Sequence, residues 1–170
     1  MQSVSNDTFG PLIAYLVPGA TVLTGLSPFL PTVRTWLDGT ATNAPTIGGL
    51  LYLSLASLAA GMTVSAVRWA TVDALHARTG LTPPCLDFGR LPGKVAELQL
   101  LIEIHYRHYQ FYANMLVAVA VAYVGYRLHV GFTWPGLPDL ALVTLEPIFF
   151  YTSRDTLRKY YTRCRELFSS

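Results

Sequence analysis

Apolar residues fall into four blocks along the chain, at about residues 9–30, 47–67, 109–128 and 138–153. A helix rises 1.5 Å per residue, so roughly 20 apolar residues cross the ~30 Å hydrocarbon core of a bilayer. The first three blocks meet that length. The fourth offers only the twelve residues 140–151, about 18 Å of helix, and 138–153 crosses only if Trp134 and Tyr151 anchor its ends and Arg154 snorkels.

The third block belongs to a longer stretch. Residues 94–128 contain no proline and a single glycine, Gly125, so they can run as one helix of about 50 Å. Its first half is charged and aromatic and its second half, from Phe111, is apolar, the pattern of a helix that leaves water and enters lipid. The second block likewise continues in helical register through residues 68–79, with Gly80 as its stop and Pro45 and Thr46 as its start. After the fourth block, residues 154–168 read as an amphipathic continuation with Leu157, Tyr160 or Tyr161, Cys164 and Phe168 on one side. Residues 31–45 and 81–93, rich in Pro and Gly, are expected to be loops.

These elements predict an all-α membrane protein of one domain, 1–170, with four transmembrane helices. Helices two, three and four extend beyond the membrane into a small helical subdomain built from residues 68–108 and 154–170. Those segments carry ten of the twelve basic residues, whereas the other side holds Arg34 and Arg127. The positive-inside rule then sets both termini in the cytoplasm of a cell with the chain in its inner (plasma) membrane. The N-terminus has no basic residue before its apolar run, which reads as a retained helix rather than a cleaved signal.

Composition agrees and adds limits. Apolar residues make up 52% and charged residues 13%, about half the charge of a soluble domain, and mean hydropathy is +0.38. A net charge of +2 argues against a nucleic-acid partner. Cys85 and Cys164 fit neither a metal spacing nor a disulfide framework.

Five groups of residues could carry function. Pro18, Gly19, Ser57, Gly61 and Ser65 give small-residue faces for close helix packing, with Arg68 continuing the second face. Gln99, Glu103, Arg107, Gln110 and Asn114 recur at helical spacing as a polar stripe, either a solvated face with an interhelical bond from Asn114 or a pore lining or oligomer seam. Glu146, beside Pro147 in the fourth block, is an intramembrane acid; Asn114, Tyr112 and Arg68 are its candidate partners, or the same glutamate of another copy. His105 and His108 are weak metal candidates, with Glu103 or His76 to complete a site, and otherwise join Tyr106, Tyr109 and Tyr112 in an interfacial girdle. Arg154, Arg158, Lys159, Arg163 and Arg165 suit anionic lipid or a phosphate-bearing ligand.

No catalytic motif or phosphate loop is present, so the expectation is a protein without enzymatic activity or cofactor. The leading expectation is a homo-oligomer acting in the membrane, as a channel or pore-type effector regulated through its cytosolic helices. A non-conducting anchor that docks a cytosolic protein is the second, and a metalloenzyme using His105 and His108 the third.

Overall fold

The computed structural model describes residues 6–42, 47–86, 89, 91–132 and 134–169. All regular structure among them is helical. Five helices follow in order: α1, Asn6–Leu26; α2, Pro31–Thr42; α3, Ile47–Arg78; α4, Val95–Val130; and α5, Leu137–Ser169. Leu12–Phe29, α3 and α4 are long and apolar enough to cross a membrane. The expected start signals Pro45 and Thr46 lie outside the described residues.

Helix α1 packs on both α3 and α4, and α5 packs along α4. Glycine makes the α1 contacts possible. A Cβ on Gly19 would overlap the Ser57 carbonyl of α3, and one on Gly61 would overlap the Tyr15 carbonyl of α1. One on Gly25 would meet the Ala122 backbone of α4, and one on Gly125 the Gly25 carbonyl. Lipid tails are as apolar as leucine, so helices in a bilayer gain stability from such close backbone approach rather than from leaving water. Val22, Val64 and Ala118, one from each of α1, α3 and α4, fill the space between the crossings.

A second three-helix core lies further along. Val72 of α3, Tyr109 and Ala113 of α4 and Leu157 of α5 pack together, with Tyr106, Tyr160 and Tyr161 against them. Here α5 takes the place that α1 holds in the apolar half. Of the stripe read from the sequence, Leu157, Cys164 and Phe168 are buried on α5, with Tyr160 and Tyr161 partly so, and Ser153 one turn earlier is buried with them. If this end is wet, burying Leu157 or Phe168 contributes about 1.5–3 kcal/mol each, an upper estimate because the unfolded chain is not fully extended. We refer to it as the polar end, and to the opposite end, with α2 and the α4–α5 connection, as the loop end.

Helices α4 and α5 run antiparallel and are tied at both extremes. At the polar end Lys94 Nζ donates to the Leu167 carbonyl at 2.6 Å, a cation set against the negative end of a helix dipole. At the loop end Arg127 pairs with Asp139. Helix α3 closes in a Schellman motif, with Leu81 N to His76 O at 3.0 Å and Gly80 N to Ala77 O at 3.1 Å. Gly80 has φ +92°, which a side chain would oppose.

One expected loop is a helix. Within residues 31–45, Pro31–Thr42 forms α2. Pro31 stands at its first position, where the missing N–H is no loss. Val33 is buried, Trp36 stacks on Tyr52 of α3 with centroids 6.0 Å apart, and Arg34 pairs with Asp38 one turn on at 3.6 Å. That apolar spacing and the i,i+4 pair outweigh the polar composition.

Candidate functional site

Where α3 and α4 pass from their apolar to their polar halves, each contains a π turn, Trp69–Asp73 and Ile102–Tyr106. A π turn inserts one residue and re-aims the side chains beyond it, and such turns collect at functional positions. Arg68, just before the first, is only 4% exposed. Its guanidinium carbon lies 5.2 Å from the Tyr109 ring centroid, and Nη1 is 3.8 Å from Asp73 Oδ1. The Tyr109 hydroxyl donates to the same carboxylate oxygen. Charge attraction and the ring face together hold a buried cation whose Nε and Nη1 make no hydrogen bond.

Next to this triad, His76 is fully buried with Nε2 3.1 Å from Ser153 Oγ. The Ser153 hydroxyl donates to the Phe150 carbonyl at 2.9 Å. Its single hydrogen is thereby used, so His76 Nε2 is the donor to Ser153 Oγ and Nδ1 is the bare nitrogen. Nδ1 has no partner. Burial lowers the His76 pKa below its ordinary 6.5, the Arg154 charge reinforces this, and Asp73 opposes it. The ring is therefore held neutral.

In the apolar half, Asn114 is fully buried and its Nδ2 donates to the Ala14 carbonyl of α1 at 2.9 Å. Ala14 lies four residues before Pro18, which has no N–H to give it. Asn114 therefore supplies across helices the bond that Pro18 withholds, and this is the interhelical bond expected from the sequence. Pro18 and Gly19 are buried in the same crossing, and Ser57 and Gly61 face them. Ser65 stands aside, lining a cavity of about 390 Å³ with Tyr15, Met62, Ala66, Arg68 and Trp69.

The polar stripe on α4 does not stay one face. The π turn falls inside it, leaving Gln99 exposed, Gln110 half-buried and Asn114 fully buried. Glu103 and Arg107, half-buried, pair at 3.9 Å.

Glu146 is half-buried and its Oε1, shut off from solvent, has no hydrogen-bond partner. None of the three residues expected to meet it bonds to it. Asn114 is engaged with Ala14, Arg68 with Asp73 and Tyr109, and the Tyr112 ring lies 6.4 Å from Phe149. Leu142, one turn before Glu146, lines an apolar groove of about 670 Å³ between α1, α4 and α5.

The histidine pair gains no third ligand. His108 Nδ1 lies 2.8 Å from the Ile104 carbonyl of its own helix. The described residues hold no group of three or more His, Cys, Asp or Glu placed to share a metal. The five basic residues of α5 divide. Lys159 pairs with Asp155 at 2.6 Å and Arg163 with Glu166 at 2.9 Å, whereas Arg154, Arg158 and Arg165 line one cavity.

Two clusters escape a reading by sequence. Asp73 is five residues from Arg68, a spacing that does not face in an α-helix and does so across a π turn. At the loop end Arg127 is buried, with Nε 3.2 Å from the Tyr123 hydroxyl, which in turn donates to Asp139 Oδ1 at 2.6 Å. Gly136 N donates to Asp139 Oδ2 at 2.7 Å. Arg127 thus serves as a structural clamp on the α4–α5 connection as well as a loop cation.

The geometry defines an all-helical protein with three helices able to cross a membrane and a buried polar junction at one end of its bundle. No known protein family, curated protein or solved structure matches the chain.

Proposed function

We propose that the chain is a four-span protein of the inner membrane, with both termini cytoplasmic, that acts by assembling with further copies of itself through α5. The observation that carries this is Glu146: a carboxylate oxygen shielded from solvent without a partner, on a helix whose apolar half packs chiefly on α4. A carboxylate at membrane depth costs about 2.5–3.5 kcal/mol on insertion scales, so it belongs against protein or water. The small-residue faces are occupied within the chain by α1, which leaves the α5 side and its groove for assembly. Helix α5 crosses as the fourth span, and residues 68–108 and 154–170 form the cytoplasmic part. Copies meeting at α5 bring their Glu146 side chains to a common seam, the arrangement of a channel or pore-type effector.

A second reading is a non-conducting anchor that docks a cytosolic protein. Exposed Leu75, Val95, Leu100 and Ile104 on the polar end favour it.

Cross-linking and mass measurement of the full chain in nanodiscs, with dye leakage from proteoliposomes, separate the two. The assembly reading expects a defined oligomer that Glu146→Gln weakens, with leakage reduced in parallel. A monomer that seals liposomes refutes it. A tight oligomer indifferent to Glu146→Gln removes Glu146 from the seam.

A further inference from the structure

Beyond the Schellman turn that ends α3, residues 80–82 face α5 across a cavity of about 400 Å³. Arg154, Arg158 and Arg165 line it together with Tyr161, Thr82 and Thr162. Among the described residues no Asp or Glu lines it. The nearby acids of α5 are engaged on the flank, Asp155 with Lys159 and Glu166 with Arg163. Arg154 is fixed in place by donating to the Thr79 hydroxyl and, at 2.8 Å, to the Thr79 carbonyl. Arg165 Nη2 lies 3.5 Å from the Thr82 carbonyl. Arg158 makes no ion pair or side-chain hydrogen bond among the described residues. Arg154 and Arg158 are one turn apart on the same helix, where like charges repel.

Three arginines lining one cavity, with no acid among the described residues of its lining to balance them, call for an anion from outside. Guanidinium offers paired, planar donors that match phosphate oxygens, and it stays charged at any working pH. The Thr82, Thr162 and Tyr161 hydroxyls add donors that can turn toward the same oxygens. We propose that this cavity binds a phosphate group, carried either by an anionic lipid headgroup or by a soluble phosphate compound. Arg154 directly follows Ser153, the last residue of the fourth apolar block. That places the cavity at headgroup depth when α5 spans the bilayer. The chemistry itself does not depend on how copies assemble.

The test is native mass spectrometry of the detergent-solubilised full chain, titrated separately with phosphatidylglycerol, phosphatidylcholine and inorganic pyrophosphate. Two paired variants accompany it: Arg158→Gln with Arg165→Gln, which opens the cavity lining, and Lys159→Gln with Arg163→Gln, which removes equal charge from the flank. Arg158 and Arg165 are exposed, so the first variant keeps the fold. For a lipid source, phosphatidylglycerol is retained at least about tenfold better than phosphatidylcholine. That retention falls about tenfold in the cavity variant and stays level in the flank variant. For a soluble source, pyrophosphate shows that same dependence and phosphatidylglycerol does not. Equal weakening by both variants, or no retention of either anion, overturns the proposal.

Discussion

Asn114 gives the sharpest test of how the apolar half is held together, because its proposed role depends on Pro18, a proline on a different helix far earlier in the chain. Asn114→Ala removes the donor to the Ala14 carbonyl. Pro18 cannot replace that donor and the bilayer core offers no water to do so. Interhelical hydrogen bonds in membranes average about 0.6 kcal/mol and reach about 1.7. A carbonyl left with no alternative belongs at the upper end. The expected loss is about 1.5 kcal/mol, close to a tenfold shift in the folded fraction. Pro18→Ala changes the arithmetic. Residue 18 then has an N–H that reaches Ala14 within α1, and Asn114→Ala in that background loses about 0.5 kcal/mol or less.

The assay is a double-mutant cycle on the full chain, with reversible unfolding followed in mixed micelles. Independent, distant sites add within about 0.3–0.5 kcal/mol, and the shared carbonyl predicts a coupling of about 1 kcal/mol. If Asn114→Ala costs the same with and without Pro18, Asn114 stabilises by filling space and the carbonyl argument fails.

Two further outcomes rest on the fold. Gly19→Ala drives a Cβ into the Ser57 carbonyl, a backbone atom that cannot step aside, and should lower stability by about 1–3 kcal/mol as overpacking does. Gly48→Ala, with nothing near its Cβ, should leave the thermal midpoint level or slightly raised; equal losses would refute the α1–α3 crossing. The neutral His76 predicts a pH dependence. Its pKa is lowered on folding, so below the ordinary 6.5 the unfolded chain takes up a proton that the buried ring refuses. Stability should be level above pH 6.5 and fall as pH drops from there toward 5, with His105, also lowered chiefly by burial, contributing in the same sense. His76→Gln should shrink that fall, and an unchanged profile would refute the assignment.

The apolar blocks, the small-residue faces at Gly19 and Gly61 and the apolar stripe of α5 were legible because each rests on spacing or on the absence of a side chain, whereas the Gly25 and Gly125 contact of α1 with α4 was not read. The π turns were less so, although α3 carries their trace. Val64, Arg68, Val72 and His76 are all buried and stand four residues apart. In a helix of 3.6 residues per turn each such step overshoots by about 40°, so three of them would carry His76 about 120° off the packed face. One inserted residue turns the helix back by about 100° and keeps all four inward. The Arg68–Asp73 pair depends on that insertion, so a count at regular helical spacing misses it. Helix α2 was hidden for another reason: its composition is that of a loop, and its order comes from Val33 and Trp36 finding neighbours.

The two prolines inside apolar blocks differ in what meets the carbonyl each one frees. Each removes an N–H from its own helix: Pro18 from the Ala14 carbonyl, Pro147 from the Val143 carbonyl. At the first, Asn114 arrives from α4 and the polar atom is satisfied. Hydroxyls elsewhere in the apolar blocks settle on their own helices, as Thr21 does on Val17 at 2.9 Å and Thr144 on Leu140 at 2.7 Å. At Pro147 the neighbouring side chain is an acid, which as a carboxylate can only accept, so it cannot serve the freed carbonyl and itself lacks a donor. Protonating Glu146 would give the carbonyl a donor; a second copy bringing its own protonated Glu146 would give both a partner. The carbonyl freed by Pro18 thus has a donor from a second helix, whereas Glu146 beside Pro147 has none, and that difference at the two prolines is the physical reason for placing assembly on the α5 side.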